Sequence, residues 1–324
     1  MSEMMIDRDG PLVSIIIPVY NKAAYVRETL ESALGQTYPN IEIVLVNDGS
    51  TDGSLAILEE FKSRYSDKII LIDQENGGVS KATNIGIQAS RGDYIQFLDA
   101  DDLLSPDKIA LQINLLRGKS PLILSSCEWV NFKDDIKNYS RIPYGVFKDF
   151  DSGLEWLLYS WNYMEMMADS SWLTSKKLID LAGNWNESLL INQDGEFFMR
   201  VLLKCKGVRF DSVSKVFYRN LTEESVSRQK TYHANRSLLD SFKSYQKEIL
   251  QLVDSKKIRI ALKRVYLKFI YDTYPHYPDL INEAKVLIDL LGVSEATPIG
   301  GPKFRLMSRI FGFEKALWLK RKVG

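Results

Sequence analysis

Between Val13 and Leu98, four short runs of β-branched and aromatic residues alternate with three helical patterns. This alternation limits the fold more than anything else in the chain. Val13-Ser14-Ile15-Ile16-Ile17 reads as a buried strand stopped by Pro18. Asn21 then precedes a helix with Val26, Leu30, Ala33 and Leu34 on one face, closed by Gly35. Ile41 to Val46 is a second strand, and Asp48-Gly49-Ser50-Thr51-Asp52 a turn just after it. The next helix carries Leu55, Leu58, Phe61 and Tyr65. Ile69 to Ile72 is a third strand, Asn76-Gly77-Gly78 turns into a helix near Ser80, and Tyr94 to Leu98 is a fourth strand. The expected fold class is α/β, a mostly parallel sheet flanked by helices. Ligands on such sheets bind at the carboxyl ends of the strands. Asn21, Asp48, Asn76 and Asp99 should therefore share one rim.

Composition excludes several classes. The chain has 324 residues, equal numbers of basic and acidic side chains, two cysteines and two histidines. Zero net charge gives no bulk attraction to nucleic acid, so none is expected as a partner. Cys127 and Cys205 are far apart and lack a CxxC spacing, which argues against a disulfide framework and a thiolate zinc site. With only His233 and His276, a histidine-based zinc enzyme or Ser-His-Asp hydrolase is disfavoured. The polar stretch from Met1 to Gly10 is no signal peptide, and no apolar run reaches membrane-spanning length. The reading is a cytoplasmic protein.

Phe97-Leu98-Asp99-Ala100-Asp101-Asp102 places three carboxylates directly after a buried strand. Acids so placed repel one another unless a cation lies among them. Without imidazole or thiolate nearby, a hard, oxygen-preferring Mg²⁺ or Mn²⁺ fits best. A solvated Asp-rich turn ahead of a helix, with Ser105 as N-cap and Pro106 at the first helical position, explains the same residues. At the end of the first strand, Tyr20 could stack on a nucleobase or pack in the core. Asp48 could accept an imide N–H or form a turn. Asn76 to Gly86 supplies glycines and a helix N-terminus suited to a diphosphate, but has neither GxGxxG nor the phosphate-loop pattern.

Beyond Ser120 the pattern loosens. Pro121 to Cys127 reads as a strand, and residues 128–190 are rich in Trp, Tyr and Met at irregular spacing. Trp129, Trp156, Trp161 and Trp172 there read more as core than as sugar-stacking faces. Asn192-Gln193-Asp194-Gly195 opens a helix with Phe198, Val201 and Leu202 as its apolar face. Val208 to Phe210 and Lys215 to Tyr218 read as short strands. From His233 the chain reads as helical, broken at Pro275, Pro278 and between Pro298 and Pro302.

Four segments then occur in order: Val13 to Asn21, Val46-Asn47-Asp48-Gly49-Ser50-Thr51-Asp52, Asn76-Gly77-Gly78-Val79-Ser80, and Leu98-Asp99-Ala100-Asp101-Asp102. Together they resemble the family-2 inverting glycosyltransferases, which have the A-type glycosyltransferase fold and a DXD motif. The resemblance is strong over roughly the first 120 residues. It implies a nucleotide-sugar donor, expected as a UDP-sugar, held by Pro18, Tyr20, Asn21, Asp48, Asn76, Lys81, Asp99 and Ala100. Tyr20 and Asp48 would serve the base and ribose region, Asp99 would lie nearer the ribose, and Asp101 would bind the Mg²⁺ or Mn²⁺ ion. A weaker resemblance covers Trp185-Asn186-Glu187 and Asn192 to Phe198, where Asp194 matches the catalytic base and its place in a first helical turn favours the anion. Glu196 is the alternative base. Thr83 departs from the family, many members carrying Arg there, and Lys81 is the substitute cation.

The implied organisation is a nucleotide-sugar-binding half over residues 1–120, an acceptor-side half over 121–232 built onto the same sheet, and a helical extension over 233–324. The implied reaction is metal-dependent, inverting transfer of a sugar to a hydroxyl of a glycan or lipid-linked glycan. The rivals are a non-catalytic nucleotide-sugar-binding module and a sugar-phosphate nucleotidyltransferase; the latter would need a Gly-rich basic loop after the first strand. Lys303 to Lys322 alternates basic with large apolar residues. It is a candidate peripheral contact to an anionic inner membrane face through Phe311, Trp318 and Leu319. A docked terminal helix with a solvated basic face explains it equally, and Gly312 should interrupt it.

Overall fold

The computed structural model describes residues 10–220 and 229–323. The N-terminal stretch before Gly10 lies outside them. The chain forms two compact units, one from the described parts of residues 1–157, 165–187 and 193–225, the other from those of 158–164, 188–192 and 226–324.

The first unit opens with the expected alternation: β1 (Val13–Val19), α1 (Val26–Leu34), β2 (Ile41–Asp48), α2 (Ser54–Arg64), β3 (Ile69–Gln74), α3 (Val79–Ala89) and β4 (Tyr94–Phe97). Then follow β5 (Leu103–Leu104), α4 (Lys108–Leu116), β6 (Ile123–Phe132), β7 (Ser140–Arg141), α5 (Gly153–Tyr163), β8 (Thr174–Ser175), α6 (Lys176–Ala182), α7 (Gln193–Lys204) and β9 (Gly207–Arg219). The first sheet runs β3-β2-β1-β4-β8, parallel except for the β8 edge. Ile15, Ile16, Ile17, Ile43, Val44 and Leu45 are fully buried within it. Each such side chain contributes about 1.5–3 kcal/mol of burial, which is why strands covered on both faces read as unbroken apolar runs. Helix α3 lies so close that a Cβ at Gly86 would meet Ile16 Cγ2 at 2.4 Å.

Several local expectations are corrected. Pro18 does not stop β1, which continues to Val19. Ile16 accepts from Leu98 N, so the even-numbered residues of β1 bond toward β4. β4 ends opposite Ile16, and the missing N–H of Pro18 therefore leaves no ladder bond unmade. Asp48 is the last residue of β2 rather than part of the following turn. Ser105 does not cap the next helix: its Oγ accepts from Lys215 N at 2.9 Å, tying it to β9. Asp107 occupies the N-cap position and the helix starts at Lys108.

The described residues between Pro121 and Asn220, expected on the same sheet, are not simply built onto it. They form mainly a second sheet, β5-β9-β6-β7. The two short strands expected between Val208 and Tyr218 are one strand, β9, with a register shift opposite Cys127 and Glu128. Asp211 holds that irregularity, accepting from Val213 N at 2.9 Å and from Ser214 N at 3.2 Å. Cys127 and Cys205 are buried free thiols, and Trp129, Trp156 and Trp172 are core.

The second unit is helical: α8 (Tyr232–Leu252), α9 (Lys256–Thr273), α10 (Pro278–Leu290), α11 (Pro302–Phe311) and α12 (Phe313–Val323). Pro275 and residues 298–301 fall between helices, Pro278 and Pro302 open α10 and α11, and Gly312, with φ +80°, divides the tail in two. Trp161 stacks on Tyr245 in its core. Among the described residues, no helix is long and apolar enough to cross a membrane.

Candidate active site

The carboxyl ends of β1, β2 and β4 belong to neighbouring strands, and the sequence-selected residues follow from them. Tyr20, directly after β1, is 48 % exposed, with no ring partner among the described residues. Asn21 adopts φ +52°, receives Thr51 N on Oδ1 at 2.8 Å and donates its own N–H to Ser50 Oγ at 3.1 Å. It therefore clamps the β2–α2 turn, and its side-chain oxygen is already engaged.

Asp48 is buried, and both of its carboxylate oxygens accept hydrogen bonds. Oδ1 accepts from Gln74 Nε2 at 2.7 Å and Gly77 N at 2.8 Å, and Oδ2 accepts from Gly78 N at 2.9 Å. Asn76 Nδ2 donates to the Asp48 carbonyl at 2.9 Å. These bonds shape the Asn76-Gly77-Gly78 turn, where Gly78 holds φ +86°, a conformation open to glycine at little cost. The turn delivers the exposed N-terminus of α3. The stem of exposed Lys81 crosses Gly77, where an added Cβ would meet Lys81 Cδ at 2.4 Å. Thr83 is buried.

Leu98 to Asp102 turns sharply, with Asp102 N donating to Asp99 O at 3.1 Å. Ala100 is buried. Asp101 is partly exposed, and its Oδ2 lies 2.5 Å from the Lys22 ammonium. Asp102 Oδ1 accepts from Arg219 N at 2.8 Å, while its buried Oδ2 has no partner. Arg219 also donates Nε to the Asp101 carbonyl at 2.8 Å and pairs with Glu28 at 2.6 Å. Burial, then the neighbouring charges of Asp101 and Asp194, push the Asp99 carboxyl up to about 7, against a smaller pull from Lys22.

Asp194 stands in the first turn of α7. Burial raises its carboxyl above the ordinary range, although the N–H groups of Gly195 and of Asp194 itself pull the other way. The expectation that the helix terminus would favour the anion is thus outweighed by desolvation. Glu196, the alternative base, is buried against Arg200 at 2.8 Å.

Three participants escaped sequence reading. Lys22 follows Asn21 at the strand end, and that position was its only signal. Asp169 lies in a 3₁₀ turn between α5 and β8; burial and then the charges of Asp99 and Asp194 raise its carboxyl. Nothing in its irregular, aromatic-rich surroundings marks it. Arg219 ends β9 with no motif around it. Asp99, Asp101, Asp102, Asp169 and Asp194 form one electrostatically linked acidic group. Among the described residues no three metal-binding side chains converge on a point. The donors nevertheless suit a hard cation: they are carboxylate oxygens, with Asp101 partly exposed and bonded to Lys22, and the buried Oδ2 of the adjacent Asp102 without a partner among the described residues. Mg²⁺ typically uses one or two protein carboxylates together with substrate phosphates.

Residues 14–171 match the family described as Glycosyl transferase family 2. An uncharacterized glycosyltransferase of Rickettsia typhi is 35 % identical over 233 residues, 69 % of this chain and 70 % of that protein. In other curated relatives the match takes in 42 % of the length or less. The fold resembles Staphylococcus aureus TarS 1–349 in complex with UDP, with TM-score 0.62 and 17 % identity over 97 % of this chain and 92 % of that one. It also resembles the mannosyltransferase PcManGT of Pyrobaculum calidifontis in complex with GDP-Man and Mn²⁺, with TM-score 0.58 and 16 % identity over 98 % and 88 %. The fold is that of the A-type glycosyltransferases. The chain belongs to glycosyltransferase family 2.

Proposed function

We propose that this chain transfers a sugar, with inversion, from a nucleoside-diphosphate donor to a hydroxyl of a glycan or lipid-linked glycan. The observation that carries this reading is the pairing of two opposed environments. Asp101 is partly exposed and paired with Lys22, while the Asp194 carboxyl, also partly exposed, is held above the ordinary range by desolvation and is electrostatically linked to Asp99. Asp101 would hold a cation that the departing diphosphate needs, and Asp194 suits proton removal.

The exposed Tyr20 ring takes the base face. Asp48 shapes the Gly77–Gly78 turn and, through it, the α3 N-terminus that receives the diphosphate. Lys81 adds a positive charge over that turn, and Pro18, Asn21, Asn76, Asp99 and Ala100 complete the donor wall. Asp101 would hold Mg²⁺ or Mn²⁺, which when bound would neutralise charge on the diphosphate. The acceptor oxygen attacks the anomeric carbon from the face opposite the diphosphate. The bond to the diphosphate oxygen breaks with its electron pair, and the acceptor proton passes to Asp194. A raised carboxyl is the stronger proton acceptor once ionised. Complexes of TarS with UDP and of PcManGT with GDP-Man and Mn²⁺ support a nucleotide-sugar donor, and a UDP-sugar is the first to test.

Incubation with UDP-sugars and Mn²⁺ separates the readings. Slow release of UDP is expected. Release of pyrophosphate from UTP and a sugar 1-phosphate would instead indicate a nucleotidyltransferase, and binding without turnover a binding module.

A further inference from the structure

Between Pro302 and Val323 the chain carries seven Lys or Arg residues and one carboxylate, although its net charge is zero. The carboxylate, Glu314, is already paired with Lys285. Among the described residues none of the seven cations pairs with an acid. On α9 and α10, Asp272 is paired with Lys268 and Glu283 with Arg236 and Lys243, so neither is paired with the tail's cations. The tail itself carries a strong excess of positive charge.

The apolar residues here divide between two roles. Phe304, Ala316 and Leu317 are buried, and the Phe304 ring packs edge-on against Tyr271 with centroids 4.7 Å apart. These contacts seat both helices within the helical unit. The opposite faces carry large apolar groups into solvent. On α11, Leu306 and Ile310 stand one turn apart, 59 % and 63 % exposed, with Lys303, Arg305 and Arg309 also exposed. Helix α12 exposes Trp318, with the Lys322 ammonium 4.1 Å from its ring centroid and Lys315 and Arg321 exposed nearby in sequence. A cavity of about 720 Å³ adjoins this face, walled by Ile270, Pro275, Ile281, Phe311, Leu317 and Trp318. Its size falls within the range of about 300–1,000 Å³ typical of ligand pockets.

We propose that α11 and α12 form a docking surface for an anionic lipid bilayer. Two kinds of attraction are needed for useful membrane binding, and both are present: a cluster of cations for the headgroup phosphates, and Leu306, Ile310 and Trp318 for the acyl boundary. The cavity beside Phe311 and Trp318 receives part of a lipid chain. A nucleic acid would be drawn to the same cations, but it would leave the aliphatic Leu306–Ile310 pair in water. The tail acts as two helices divided at Gly312, the interruption expected from its sequence. Phe311 and Trp318 are on the exposed side, while Leu319 is half-buried. This proposal is independent of the transferase reading.

Trp318 provides the readout, because the other five tryptophans are buried. The full chain should sediment at low salt with phosphatidylcholine vesicles containing phosphatidylglycerol, and not with phosphatidylcholine alone. High salt should release it. Its tryptophan emission should shift to the blue on binding, and Trp318→Phe should remove the shift while most of the binding persists. The double substitution Leu306→Ser, Ile310→Ser should weaken partition by roughly tenfold or more. Arg309→Glu with Lys322→Glu should weaken it too, with unchanged circular dichroism in every variant. Any one of these results overturns the proposal: equal partition to neutral and anionic vesicles, undiminished partition of the serine variant, no blue shift, or binding to single-stranded DNA without binding to vesicles.

Discussion

The clustered acids of the β-sheet unit and the paired acids of the helical unit titrate in opposite directions, while Glu42, Asp52 and Glu60, which have hydrogen-bond donors of their own in the β-sheet unit, are lowered like the second set. In the β-sheet unit, Asp99, Asp102, Asp169 and Asp194 all hold their protons more tightly than ordinary carboxylates, with burial the largest cause in each. In the helical unit, Asp254, Asp279 and Glu283 hold theirs less tightly. Asp254 is held down by its hydrogen bonds from Arg259, and Asp279 by that from Tyr232. For Glu283, burial is outweighed by hydrogen bonds from Arg236 and Lys243. Where an acid serves only to hold helices together, the fold supplies a partner. Where several acids crowd together, only Asp102 of them fully buried, desolvation raises each and mutual repulsion adds to it for Asp99, Asp102 and Asp169, a repulsion that a bound cation would relieve.

This contrast is open to direct attack. The largest effect is expected at Asp101. Asp101→Ala should remove UDP binding measurable by calorimetry, and wild-type binding should require Mn²⁺ or Mg²⁺; equal affinity with and without the cation would dissolve the contrast at its centre. Next, Asp194→Asn should retain donor binding and lower transfer by about 10²–10⁴-fold, the usual range for a lost general base. Wild-type turnover in that variant would make Asp194 a helix-terminal charge and nothing more.

The pH profile sharpens the same point. The working form of Asp194 is the carboxylate, and its folded pKa is raised. The rate should therefore fall as pH drops, along a limb lying above the ordinary carboxylate range, and Asp194→Asn should lack that limb. A smaller effect belongs to Tyr20. Losing a base-stacking ring costs about 1–3 kcal/mol, so Tyr20→Ala should weaken donor binding by roughly ten- to hundredfold and leave stability unchanged. Glu283→Gln in the helical unit marks the lower end. An ion pair only about one-third exposed, with two cationic partners, contributes on the order of 1 kcal/mol, so chemical denaturation should show a small loss and transfer should be unaffected. A large activity loss there would erase the distinction between the two sets of acids.

The order of β1 to β4 and α1 to α3 was legible because periods of 2.0 and 3.6 residues are local properties of the chain. The ends of elements were less legible. Pro18 reads as a stop until the position of β4 shows that its N–H would have had no acceptor. Ser105 has the chemistry of a helix cap, yet it bonds to Lys215, more than a hundred residues away. β9 reads as two strands because the Asp211-to-Ser214 irregularity is stabilised by side-chain bonds that no periodicity records. Within the candidate site, motifs pointed to Asn21, Asp48, Asn76 and the acids after β4. They did not point to Lys22, Asp169 or Arg219, since each matters through a neighbour distant in sequence.

The sequence by itself determined which strands alternate with which helices, which acids stand at the ends of strands, and that the C-terminal tail is both basic and apolar. All of these follow from composition and spacing over a few residues. Only the tertiary structure decided that Asp48 is consumed in shaping the Gly77–Gly78 turn, that Asp194 is raised rather than lowered, and which face of the tail stays in water. Those outcomes depend on desolvation and on charges brought together from remote parts of the chain, and both are set by distance in space rather than by separation along the backbone.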